Sequence, residues 1–219
     1  MRKILVLLSA LLVFQASPAI AEYEEGFEFQ KTKQVMPTVD TSKVEVIEFF
    51  WYGCPHCHHF EPVLNKWLAT KPDNVVFVRI PAVFRENFIP HARAYYTAEY
   101  LKVTEKIHAA IFKAYHDDKN KLLSKTAIKA LFAKNGVDKK DFDKAWHSFI
   151  VQSKLKRAIN LTGRYGIKSV PTMVVNGKYQ TNSSMATVNN PTASGFAASI
   201  EVTNWLIARE AAEMKKAKK

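Results

Sequence analysis

The chain has 219 residues, with 32 Lys and Arg against 20 Asp and Glu, for a formal net charge of +12. The lysines are scattered over predicted helix faces, with one cluster in the tail "MKKAKK". No basic stripe is interleaved with exposed aromatics, so the charge reads as a solvated surface and argues against a nucleic-acid partner.

Arg2 and Lys3 precede an apolar run over residues 4–14, and small residues and a proline follow, ending in Ala19-Ile20-Ala21. A charged start, a short apolar stretch and an Ala-x-Ala site predict a signal peptide cleaved after Ala21, the run being too short for a stable anchor. The mature chain is then 198 residues with a net charge of +10, because Arg2 and Lys3 leave with the leader. That is enough for one large domain or one domain with a sizeable insertion. No later run is long enough to cross a membrane, so a soluble, exported protein is expected, in a compartment where a disulfide is permitted.

After a polar arm, "EYEEGFEFQKTKQVMPTVDTSK", expected to be loosely attached and to hold a first short strand, residues 44–52 ("VEVIEFFWY") are dense in β-branched and aromatic side chains and predict a buried central strand. Gly53 breaks it. Pro55 suits the first turn of a helix, where its missing N–H is harmless, and that helix should run to about Thr70. A second strand, "VVFVRIP", completes a β-α-β unit with a parallel pair. Residues 91–115 then read as helix, with Ile107, Ala110, Ile111 and Ala114 on one face. Ser124 is placed to cap "KTAIKALFAKNG", which Gly136 ends. Asp138 is placed to cap one long helix over residues 139–166, with Phe142, Ala145, Trp146, Phe149 and Ile150 on its apolar side. Strand character returns at "SVPTMVVNGKYQ", where Asn176-Gly177 signals a hairpin. A closing amphipathic helix carries Phe196, Ile200, Asn204, Ile207, Ala211 and Met214. The order is β-α-β, a helical block of roughly 75 residues, then β-hairpin-α. It predicts an α/β thioredoxin fold, a central mixed sheet with flanking helices, interrupted by an inserted all-helical domain. The parts are residues 22–86, the insertion 87–163, and 164–219.

The only two cysteines, Cys54 and Cys57, stand in "FFWYGCPHCHHFEP". A bridge across two residues removes little chain entropy, so a purely structural role is poorly served. At a strand-to-helix turn, Cys54 meets unpaired backbone N–H groups and the positive end of the helix dipole, which should depress its pKa. His56 lies between the sulfurs and can add a hydrogen bond or charge. Cys57, one turn on, should be the shielded, resolving thiol. Stabilising the thiolate makes the disulfide a stronger oxidant. Two rivals read the same letters. Cys54-x-x-Cys57-His58 matches a c-type haem box, but a helix packed on a central strand leaves no cradle for a macrocycle. A zinc site would recruit His56, His58 or His59, but no second pair closes the tetrahedron. A reductase or isomerase of the same fold is a closer alternative, although no dimerisation module fits. His91, His108, His116 and His147 read as surface or helix-packing residues.

"FFWYGCPHC", the helical insertion and "SVPTMVVNGKYQ", with "EYEEGFEFQ" and "NGVDKKDFDKAWHSFIV", resemble the DsbA family of periplasmic thiol:disulfide oxidoreductases over essentially the whole mature chain. The resemblance implies that Cys54 exchanges with client thiols and Cys57 resolves the mixed disulfide, with Pro55 and His56 completing the motif. It implies a cis bond between Val170 and Pro171, with Val170 exposing backbone groups to an extended client. Glu48 and Glu61, which from the residues alone could face solvent, would lie beneath the disulfide as thiol tuners or a proton relay for Cys57, with Arg79 as counter-charge. No cofactor beyond the Cys54–Cys57 disulfide and no metal is implied. The expected partners are unfolded or partly folded exported proteins and a quinone-linked membrane oxidase of the DsbB type, and a monomer is expected.

Overall fold

The strand β2 (Val44–Phe50) is buried at all seven positions, so it must be covered on both faces, and everything else is arranged around that requirement. A computed structural model describes residues 22–217, and the predicted leader lies outside them. After a two-residue strand β1 (Gln30–Lys31) and β2 come α1 (Pro55–Leu68), β3 (Val75–Pro81), a 3-10 turn (Glu86–Phe88), α2 (Ile89–Tyr100), α3 (Thr104–His116), α4 (Lys125–Lys134), α5 (Lys139–Trp146), α6 (Phe149–Tyr165), β4 (Thr172–Val175), β5 (Tyr179–Thr181), α7 (Ser183–Ala186) and α8 (Gly195–Ala217). The sheet order is β1-β5-β4-β2-β3. The β2–β3 pair is parallel, with Glu48 opposite Arg79, while β4 runs antiparallel to β2 with Glu48 opposite Met173. This is a thioredoxin fold with α2 to α6 inserted between β3 and β4.

Two apolar clusters sandwich the sheet. Val44 and Val46 pack with Phe60, Leu64 and Trp67 of α1 and with Val202 and Leu206 of α8. Ile47 and Phe49 pack with Leu161 and Tyr165 of α6, in a cluster that continues through Phe112, Phe132 and Phe142 of the insertion. The hairpin forms as the sequence indicates: Asn176 and Gly177 both take positive φ, 50° and 68°. A Cβ at Gly177 would also run into the Met36 backbone. Fully buried Glu210 of α8 clamps that turn, accepting hydrogen bonds from Asn176 Nδ2 at 2.6 Å and Lys178 Nζ at 2.7 Å.

Four expectations need correction. The polar arm is held firmly: Phe29 is buried, and the Glu28 carboxylate accepts from Glu24 N and Asn189 Nδ2. The helix expected over 91–115 is two, because Lys102 and Val103 leave helical geometry after the Leu101 cap, Lys102 with φ of 59°. The long helix expected after Asp138 breaks at His147, where Ser148 begins a new one, its Oγ accepting from Val151 N at 3.2 Å. The break rotates the apolar face, so Val151 and Leu155 are buried while Phe149 is 84% and Ile150 51% exposed. On α8 the buried stripe runs through Val202, Thr203, Leu206 and Glu210 as well as Ile200 and Ile207. Asn204 is exposed and receives a hydrogen bond from Trp67 Nε1 at 2.8 Å.

Candidate active site

The backbone leaves β2 at Phe50, and Trp51-Tyr52-Gly53 turn it into α1. A Cβ at Gly53 would collide with the indole of Trp51, which folds back over it and stacks on Phe88 at 3.8 Å. Cys54 is the N-cap of α1, extended at φ −90°, ψ 118°, with Pro55 in the first turn. It offers no side-chain cap, so its sulfur stands where the free N–H groups of the helix converge.

Both cysteines are free thiols in this structure. Cys54 is 8% exposed and Cys57 is fully buried. The Cys54 pKa falls from 9.0 to about 6, chiefly through hydrogen-bond donation from the Cys57 thiol. Burial opposes the shift, while the backbone N–H groups of Cys57 and His56 and the charge of His56 assist it. The exposed His56 ring, 6.4 Å from that of Phe196, thus contributes less than its own main-chain amide. Burial, its hydrogen bond to Cys54 and the nearby Glu48 charge push the Cys57 pKa far up. One sulfur is poised as an anion, the other held as a thiol.

The Val170–Pro171 bond is cis. This loop, over a hundred residues away in sequence, places the Val170 carbonyl 3.3 Å from Cys54 Sγ, accepting from the thiol.

Beneath the pair, Glu48 is fully buried with Arg79 Nε donating to its Oε2 at 2.9 Å, and Arg79 Nη2 reaches Glu61 at 3.4 Å. Neither carboxylate is a simple surface group, and Arg79 is their shared counter-charge. Burial raises the Glu48 pKa from 4.5 to about 8 despite Arg79, with the Glu61 charge adding to the rise. Glu61 titrates below its usual value: burial opposes this, but the hydrogen bond with His108, the Arg79 charge and the hydrogen bond from Asn65 outweigh it.

The histidines of the insertion are where sequence reasoning missed most. His91 and His108 are buried, and three of the four hold the active-site turn. Trp51 Nε1 donates to His91 Nδ1 at 3.0 Å, which leaves His91 Nε2–H to donate to Lys121 O at 2.8 Å. Tyr52 OH meets His108 Nδ1 at 2.9 Å, and His116 Nε2 donates to the Tyr52 carbonyl at 2.8 Å. His147 instead lies 3.2 Å from Lys125 Nζ at the surface. Trp51 and Tyr52 are at least 40 residues away in sequence from the histidines that hold them, so no local periodicity could reveal these contacts; an excess of histidine over two adjacent helices was the only available hint. His58, the residue of the haem reading, stacks on His116 at 4.8 Å. Among the described residues no group of three or more His, Cys, Asp and Glu is placed to hold a metal ion. A cavity of about 340 Å³ lies between the sheet, α2 and α6, lined by Glu45, Ile47, Tyr96 and Arg157 among others, and neither cysteine nor the cis-proline borders it.

Residues 45–192 match the DSBA-like thioredoxin domain family. The thiol:disulfide interchange protein DsbA of Burkholderia cepacia is 45% identical over 167 residues, covering 76% of this chain and 78% of that protein. That of Pseudomonas syringae is 36% identical over 212 residues, covering 97% and 96%. Among solved structures, Pseudomonas aeruginosa DsbA superposes with a TM-score of 0.81 at 35% identity, covering 88% of this chain and 97% of that one. The oxidoreductase DsbA of Xylella fastidiosa gives 0.74 at 29%, covering 84% and 96%.

Proposed function

Because the chain belongs to the DsbA family of thioredoxin-fold thiol:disulfide oxidoreductases, we propose that it donates its Cys54–Cys57 disulfide to unfolded or partly folded proteins after export to the periplasm, with Cys54 as the exchanging sulfur. The observation that carries this reading is the opposed pair of thiols: Cys54 with a pKa near 6 and Cys57 far above its usual value.

The direction of the chemistry follows from that opposition. A client thiolate attacks Cys54 Sγ, the bond to Cys57 breaks, and Cys57 leaves as a thiolate. A thiol with so high a pKa takes a proton at once, and Glu48, still protonated at neutral pH with its pKa near 8, is the donor. A second client thiolate then attacks the client sulfur of the mixed disulfide and expels Cys54, whose low pKa makes it the better leaving group. The client's two sulfurs are oxidised and the enzyme's two reduced. Of the client's two protons, one ends on Cys57, with Glu48 reprotonated from solvent, and one is released. Val170, intermediate in exposure beside the sulfur, offers main-chain groups to an extended client. Pro55 holds the helix start, and His56 supports the thiolate. No cofactor beyond the disulfide enters, and a quinone-linked membrane oxidase of the DsbB type is the fitting re-oxidant. The N-terminal leader, cleaved after Ala21, and a monomeric state complete the proposal; no helix among the described residues is long and apolar enough to cross a membrane. A reductase would need a couple poised the other way.

The test is a trap. In Cys57→Ser the mixed disulfide on Cys54 cannot resolve, so adducts with exported proteins should accumulate and disappear on reduction. Their absence in periplasmic extracts would remove the donor role.

A further inference from the structure

The pair of thiols lies above a buried polar chain that passes through the insertion at His108. Tyr52 OH is 2.9 Å from His108 Nδ1; His108 Nε2 is 3.2 Å from Glu61 Oε1; Arg79 Nη2 is 3.4 Å from Glu61; Arg79 Nε is 2.9 Å from Glu48 Oε2. Tyr52 and Glu48 are fully buried and His108 is 4% exposed. Five elements or their edges contribute: β2, the turn after it, α1, α3 and β3.

The hydrogens in this chain are fixed by elimination. Burial pushes the Tyr52 pKa well above 10, so the phenol keeps its proton. Its side chain has one hydrogen-bond partner among the described residues, His108 Nδ1, so O–H donates and Nδ1 accepts. The ring is then neutral and carries its single proton on Nε2, which donates to Glu61. Burial lowers the His108 pKa, in keeping with a neutral ring. Glu61 therefore receives N–H donors from His108, Arg79 and, at 3.4 Å, Asn65. Glu48 receives one, and its Oε1 is buried without a partner among the described residues. Two carboxylates share one guanidinium in a poorly solvated pocket, where the second negative charge is expensive. The other titratable groups that face this chain are Tyr95 from α2 and Cys57 from α1.

We propose that His108 is a positioning residue: its Nε2–H fixes the negative charge on Glu61 and so leaves Glu48 as the carboxyl that keeps the proton delivered to Cys57. This rests on the proposed disulfide donation. It also gives the insertion a part in the chemistry, since α3 sets the protonation of a residue on the central strand without touching either sulfur.

The bland alternative is packing, because the ring also lies against Phe50 and Phe112 at 5.1 and 5.0 Å. His108→Phe keeps the bulk and loses the donor, whereas His108→Gln keeps an N–H that can reach Glu61. Side-chain carboxyl 13C NMR on the reduced full chain should show Glu48 titrating near 8 and Glu61 below 4.5 in the parent. In His108→Phe the two should converge, Glu61 moving up and Glu48 down by about a unit each, with His108→Gln close to the parent. The client-oxidation rate, which needs protonated Glu48, should then fall off at lower pH in His108→Phe. Unmoved carboxyls in a folded His108→Phe would overturn the proposal. So would 15N shifts of the parent showing His108 as an imidazolium or as the Nδ1–H tautomer at pH 7, a readout that needs no variant. Carboxyls that move while the pH–rate profile does not would instead remove Glu48 from the donor role and leave the charge placement by His108 standing.

Discussion

The Cys54 sulfur gathers three hydrogen bonds, from the Cys57 thiol and from two main-chain amides, before any charged group is counted. Uncharged groups, one thiol and two main-chain amides, thus provide most of the thiolate stabilisation. This places the emphasis elsewhere than the sequence motif does: His56 is the conspicuous residue between the cysteines, but Cys57 makes the larger contribution. Alkylation of the reduced protein as a function of pH separates the two. The reactive fraction should titrate near 6 and belong to Cys54, with Cys57 unlabelled. His56→Leu should raise that midpoint modestly and leave it below 9.0, because the main-chain amide stays. Cys57→Ala should raise it further. A larger rise in His56→Leu than in Cys57→Ala would reverse the assignment, and equal labelling of both thiols would end it.

At the scale of elements, what was legible in the sequence was local. The Asn176-Gly177 turn, the Ser124 and Asp138 caps and the β2-α1-β3 unit each depend on neighbours in the chain, and each stands where the residues place it. Glu48 was not decidable from strand alternation, because β2 is buried on both faces and alternation loses its meaning there. His91 and His108 were not legible at all, their partners being brought together by the docking of the insertion. The missed break at His147 did have a local signal, since Ser148 is a good N-cap standing before "FIVQ". Ser148→Ala should therefore cost about 1 kcal/mol, read as a lower urea midpoint with the alkylation midpoint of Cys54 unchanged. No loss of stability would mean that the cap does not set the start of α6. A shift in the Cys54 midpoint would mean that the α5–α6 junction reaches the active site.

For the whole molecule, the same hydrogen bonds that lower the Cys54 pKa bind the reduced fold together. The sign follows from the direction of the shift. With a folded pKa near 6 against 9.0 unfolded, Cys54 stabilises the reduced protein increasingly as pH rises from about 6 to 9, and that contribution is lost as pH falls through 6; above 9 the raised Cys57 pKa acts in the opposite sense. At pH 7 the Cys54 contribution is about 1 kcal/mol, growing toward about 2–4 kcal/mol near pH 9 once solvent screening is allowed for. The disulfide form has no such thiolate. Glu48 has the opposite sense: its pKa is raised to about 8, so its contribution is present below 4.5 and fades as pH rises through 8. Urea melts of both redox forms should find the reduced form the more stable, by a margin that widens from pH 6 to 9. A more stable disulfide form would point to a structural bridge.

That margin is the driving force for oxidising clients. A folded enzyme that prefers its reduced form transfers the disulfide onward, with about 30 mV of oxidising potential for each 1.4 kcal/mol of preference. The helix start and the Cys57 thiol both serve this one quantity. Equilibration of the full chain with mixtures of reduced and oxidised glutathione at pH 7 measures it. The Cys54–Cys57 pair should be largely reduced even where oxidised glutathione predominates, which places its potential above that of glutathione. A pair that stays oxidised in excess reduced glutathione would contradict the account.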